Sequence, residues 1–140
     1  MVQGANQLGV YLEIGQTRTF AVALDWPGWC RSGRDEARAL QALYDYGPRY
    51  ARALSNTRLR FRAPAEASDL IMVERLTGNA TTNFGAPNLA LSRDAKPIEQ
   101  TELELWLVVL QACWQTFDTA VRRLAWHELD HAWEIEDRAS

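Results

Sequence analysis

The stretch Arg18-Thr19-Phe20-Ala21-Val22-Ala23-Leu24-Asp25-Trp26-Pro27-Gly28-Trp29-Cys30-Arg31-Ser32-Gly33 decides the fold class. Phe20, Val22 and Leu24 alternate with Thr19, Ala21 and Ala23, the period of two expected of a half-buried strand. Asp25-Trp26-Pro27-Gly28 then supplies a turn, proline by fixing φ and glycine by accepting conformations closed to other residues. Trp29 to Arg31 is long enough to return as a short third strand. Upstream, Val10-Tyr11-Leu12-Glu13-Ile14 is β-branched and aromatic, and Gly15-Gln16-Thr17 joins it to Arg18 as a hairpin.

Downstream, Ser32 or Asp35 offers a helix cap, and Leu40, Leu43, Gly47, Tyr50 and Leu54 follow at helical spacing. Pro48 inside that pattern predicts a kink or break near Tyr46-Gly47. Phe20, Val22 and Leu24 are expected to share one core with Leu40 and Leu43. Arg58 to Arg62 and Leu70 to Leu76 are two further strand candidates, and the polar stretch Asn79 to Ala95 reads as an ordered loop or a linker.

From Ile98 to Ser140 there is neither glycine nor proline. Leu103, Leu107, Leu110, Trp114, Phe117, Val121, Leu124, Glu128, His131 and Ile135 step by four and three, a heptad seam interrupted only by Glu128 and His131. A continuous helix from Glu99 to Glu136 would be about 57 Å long. A small sheet cannot cover such a rod, so the seam predicts a homodimer through this helix. The expected fold is α+β: a small antiparallel sheet with a packed, kinked helix over residues 1–78, a loop or linker over 79–97, and a long helix or helix pair over 98–140.

Composition bounds the function. The chain has 140 residues, of which 47% are hydrophobic and 24% charged, enough to bury a core. The net charge of −3 argues against a nucleic-acid binder working by bulk charge, although Trp26, Trp29, Tyr44, Tyr46 and Tyr50 lie among arginines in a mixture that suits base stacking. Two cysteines make no disulfide framework, no apolar run reaches the ~20 residues of a membrane span, and Met1 to Asn6 lacks the features of a secretory leader. A cytoplasmic location with no membrane partner is the expectation. Arginines 31, 34, 38, 49, 52, 58, 60 and 62 outweigh Asp35, Glu36 and Asp45, whereas from Pro97 onward acids predominate. This is either a basic face for a protein partner or charge complementarity within the chain or across a dimer. Cys30, flanked by Arg31 and Arg34, is either a reactive thiol or simply packed; Cys113 beside the seam reads as structural.

Residues 20–33, with Asp35-Glu36-Ala37 and Ala39-Leu40, resemble the HicB-like antitoxin fold, whose members carry a similar strand, a Pro-Gly turn, a glycine before the helix and an acidic-alanine helix start. Gly33 would there permit a conformation awkward for a residue with a Cβ. Trp26 and Trp29 depart from the commoner pattern. The run Trp126-His127-Glu128-Leu129-Asp130-His131-Ala132-Trp133-Glu134 resembles the end of a DinB-type four-helix bundle, whose members bind a divalent metal through three histidines, two of them an HxxxH pair. The whole chain is similar to an uncharacterised actinobacterial-type family joining these two parts, but it lacks the middle section that could supply the third histidine.

His127 and His131, the two histidines of the chain, stand at i and i+4, so a helix brings their Cβ atoms about 5–6 Å apart. The string His127-Glu128-Leu129-Asp130-His131 also spells the HExxH zinc-peptidase motif, and Glu128 to His131 the Glu-x-x-His of di-metal bundles. The first is weakened by the charge of Asp130 and by the few residues left for a third ligand, the second by the scarcity of acids between Leu105 and Val121. Glu134, one turn on, is the candidate third ligand, since Cys113 lies about 21 Å away along the helix. The expected cofactor is a divalent transition metal (zinc, nickel or manganese) or none, and the expected role is a scaffold or interaction protein with a vestigial metal site. Two alternatives stay open: a DinB-type metal-dependent transferase acting on a small thiol, and an antitoxin-like binding module.

Overall fold

The computed structural model describes residues 6–139; Met1 to Ala5, on which the absence of a leader was read, and Ser140 lie outside the described residues. Strands β1 (Leu8–Ile14), β2 (Thr19–Ala23) and β3 (Cys30–Gly33) form an antiparallel meander. Helices α1 (Glu36–Asp45) and α2 (Gly47–Ala53) then lead the chain to the far edge, where β4 (Leu70–Thr77) pairs parallel with β1. The order is β3-β2-β1-β4. The fold is therefore α+β, with a mixed sheet rather than a purely antiparallel one. A tight hairpin reverses the chain, whereas a crossover through helices delivers the next strand parallel.

Asp35, not Ser32, caps α1: its carboxylate accepts from the Arg38 backbone N–H at 2.8 Å. The break falls at Tyr46, with Pro48 in the first turn of α2, where its missing N–H costs nothing. Arg58 to Arg62 is extended but joins no sheet. Its alternation instead puts Leu59 and Phe61 against the core, and the Phe61 ring meets Trp26, Trp29 and Tyr50 edge-on at 4.9–5.2 Å.

The alternation of β2 is as expected, but the face is inverted. Ala21 and Ala23, opposite Leu12 and Val10, belong to the core with Ala39 and Leu43 of α1, while Leu40 is only partly buried at its edge. Phe20 and Val22 pair with Glu13 and Tyr11 on the other face. Small side chains face α1 because the helix comes very close: a Cβ on Gly33 would lie 2.5 Å from the Ala39 nitrogen. Gly33 is thus required by proximity, not by its φ, which is negative; Gly28 has φ +88° and Gly85 φ +135°.

Residues 79–97 are ordered. They comprise α3 (Ala80–Phe84), capped by Asn79, and a 3-10 turn at Ser92–Ala95. Their anchor is Glu13, fully buried on β1, which accepts from the Thr82 hydroxyl and from the backbone N–H groups of Asn88 and Leu89. Arg93 then bridges Asp25 and Glu102 at 3.0 Å each, fixing the start of the last helix. That helix, α4, is a single rod over Gln100–Ala139, not a pair. No helix among the described residues is long and apolar enough to cross a membrane.

Candidate functional site

α4 carries apolar side chains on two opposite faces. At 3.6 residues per turn, positions two apart point about 200° from each other. Val109 and Ala112 are buried in the core beside Trp29, Tyr50 and Leu54, with Leu105 and Cys113 partly buried next to them. Leu107 and Leu110, two residues before each, consequently face away from the sheet and are 54% and 43% exposed. Beyond Cys113 nothing in the described chain covers the helix: every residue from Trp114 to Ala139 is exposed. The seam Leu103, Leu107, Leu110, Trp114, Phe117, Val121 and Leu124 therefore lies open along its whole length.

Of the four tryptophans of α4, Trp106 is half-buried and the other three stand clear of the chain's own core. Trp114, Trp126 and Trp133 are all exposed. Trp126, Leu129 and Trp133 form a second open stripe on the face opposite Leu124, His131 and Ile135. The sequence reading followed the seam and missed this stripe, although its spacing of three and four was legible.

His127, His131 and Glu134 are brought together on the exposed end of α4. The Nε2 atoms of the two imidazoles are 3.1 Å apart, and the rings meet at 77° with centroids 4.3 Å apart. Two nitrogens each ~2.0–2.1 Å from a tetrahedral zinc would be separated by about 3.3 Å, so this spacing suits a two-nitrogen bite. Glu134 does not complete it. Its carboxylate lies on the far side of the ring, 3.7 Å from the other nitrogen of His131, Nδ1, too far for a hydrogen bond. Among the described residues no three His, Cys, Asp or Glu side chains converge as a metal site. The donor set does not fit a catalytic metal centre built by one chain.

The thiols are not poised for reaction either. Burial pushes Cys30 up to about 11, outweighing the opposing effect of Arg31, and burial also raises Cys113. The basic stretch 31–62 is not neutralised by α4: among the described residues no ion pair joins its arginines to Glu102, Glu104, Asp118, Glu128, Asp130 or Glu134. Comparison with family models, with curated proteins and with solved structures gives no match for this chain.

Proposed function

We propose that the protein is a self-associating scaffold or interaction module, two copies of which join through the seam of α4. The observation that carries this reading is the placement of Leu107 and Leu110 opposite Val109 and Ala112: the first half of the helix buries one face in its own chain and leaves the other apolar. Each aromatic ring covers on the order of 150–250 Å² when fully buried. With Trp114, Phe117 and five aliphatic side chains, the seam offers an area on the order of the ~800 Å² per partner of a specific interface.

Charge and register favour an antiparallel pair. Parallel helices would set Glu128 against Glu128 and crowd the acidic ends together, at a cost from like charges. In the antiparallel register that pairs Leu103 with Val121, Leu107 with Phe117 and Leu110 with Trp114, these three layers are apolar, Leu124 falls opposite Gln100 at the end of the overlap, and Glu128 and His131 fall outside. The HicB-like resemblance of residues 20–40 adds to this reading a non-catalytic binding role for the sheet module. Light scattering at micromolar concentration tests it: a dimeric mass is expected, and a monomeric mass overturns it.

A further inference from the structure

Where α2 and α4 diverge, one chain builds a groove that shares only Phe117 with the seam. A slot of about 390 Å³ lies between the start of β3, α2 and α4, lined by Trp29, Tyr50, Ala53 and Cys113. It continues into a second cavity of about 520 Å³ bordered by Arg49, Arg52 and Arg123, and the two share Arg49, Ala53, Thr116 and Ala120. The first part is a largely apolar slot over the buried Trp29–Tyr50 stack, with Tyr46 and Phe117 also lining it. The second is bordered by arginines.

Among the described residues none of Arg31, Arg49, Arg52 and Arg123 has an ion-pair partner. Other arginines of the same chain do: Arg75 holds Glu36 at 2.6 Å, and Arg93 holds two carboxylates. Arg31 is instead held 3.9 Å over the Tyr46 ring, with Arg49 at 5.5 Å, a cation-π arrangement that orders these side chains at the groove without cancelling their charge. Three arginines bordering one cavity match an oxyanion with several acceptor oxygens and more than one negative charge. A carboxylate would leave part of that charge unanswered.

We propose that this groove binds a small phosphate monoester with a flat apolar body, the body in the slot against Tyr46, Ala53 and Phe117 and the phosphate on Arg49, Arg52 and Arg123. All the lining residues come from one chain, so a second copy supplies none of the groove's side chains.

Calorimetric titration of the full chain tests it with four probes: 1-naphthyl phosphate, adenosine 5′-monophosphate, 1-naphthol and inorganic phosphate. At least one of the two phosphate monoesters is expected to bind about tenfold or more tightly than either part alone, because only it uses both slot and rim. Which of the two binds better separates a nucleotide from another aryl phosphate. Arg52→Glu combined with Arg123→Glu should weaken binding about tenfold or more while the circular dichroism spectrum stays unchanged, both positions being exposed. Ala53→Phe should fill the slot and weaken the monoester but not inorganic phosphate. Equal affinity for inorganic phosphate and both monoesters, no saturation by about 5 mM, or displacement of the monoester by a salt-sensitive single-stranded oligonucleotide of greater affinity would each overturn the proposal.

Discussion

The indole nitrogen of Trp29 donates to the carbonyl of Leu43 at 2.9 Å, in the interior, and so ties the start of β3 to the last turn of α1 just before the helix breaks. Carbonyls in a last turn lack their usual helical donors, and this one is satisfied by a side chain that also stacks on Tyr50. Trp29→Phe removes the donor and leaves space beside Phe61. A loss of about 1–3 kcal/mol is expected in urea unfolding from the stranded carbonyl alone. Unchanged stability would show that the bond is dispensable.

Leu110→Glu separates the seam from the fold. Leu110 is exposed, so the variant should retain its secondary structure, with monomer stability changed by no more than about 0.5 kcal/mol. Its mass by light scattering should fall to that of one chain. Leu43→Ala, fully buried beside Ala39, should do the reverse, costing about 2–5 kcal/mol without altering assembly in the folded protein.

Orientation can be read separately. A spin label at Glu104→Cys should give an intermolecular distance of about 24 Å or more if the helices run antiparallel in the register proposed. A distance of about 10 Å would mean that they run parallel.

Alkaline pH should weaken the fold. Burial raises Cys30 from 9.0 to about 11 and Tyr11 from 10.0 to about 12, and it raises Tyr50 further. For each group the folded state favours the protonated form. The stabilisation is complete below the unfolded values and is lost as pH rises through the folded ones. Melting temperature should hold level up to pH 9 and fall between 9 and 12, more steeply than in Cys30→Ala. The same shift predicts slow alkylation of Cys30 by iodoacetamide at pH 8 until the protein is unfolded.

The imidazole pair predicts weak chelation rather than a bound cofactor. Untagged protein should be retained on immobilised nickel and released by His131→Ala, because two nitrogens 3.1 Å apart become one. Saturating zinc or manganese should raise the melting temperature little, since a two-ligand site binds too weakly for mass action to contribute much. A large rise with any of the three metals would mean that a second chain completes the coordination sphere.

The hairpin, the helix break at Tyr46 and the seam of α4 were legible because each is carried by local chemistry: period two, a proline, period three and a half. What escaped was set by distance in space. Ala21 and Ala23 face α1 because the helix approaches so closely that Gly33 cannot bear a Cβ, and no single strand records how near its neighbour will come. Arg58 to Arg62 alternates as a strand does, yet Leu59 and Phe61 gain more from the aromatic cluster than from an edge. Glu13 is a carboxylate in the middle of an apolar strand, and nothing near it in sequence explains its burial. Its partners Thr82, Asn88 and Leu89 lie more than sixty residues on. The histidine pair was visible from spacing alone, but the position of Glu134 behind His131 depends on rotamers that spacing does not fix.

The outer half of α4 is exposed throughout, and beyond the groove it borders with α2 nothing in the described chain packs against it. A helix of some 25 residues in water is supported mainly by its own hydrogen bonds and by spaced pairs such as Arg122 with Asp118 at 2.8 Å, and such support is marginal. Order from Trp114 to Leu124 therefore belongs to the pair of chains more than to either one, while the end beyond Leu124 lies outside the proposed overlap. On dilution, helical signal should drain from Trp114 onward while the sheet module keeps its spectrum, so that the amount of helix in solution becomes a measure of protein concentration.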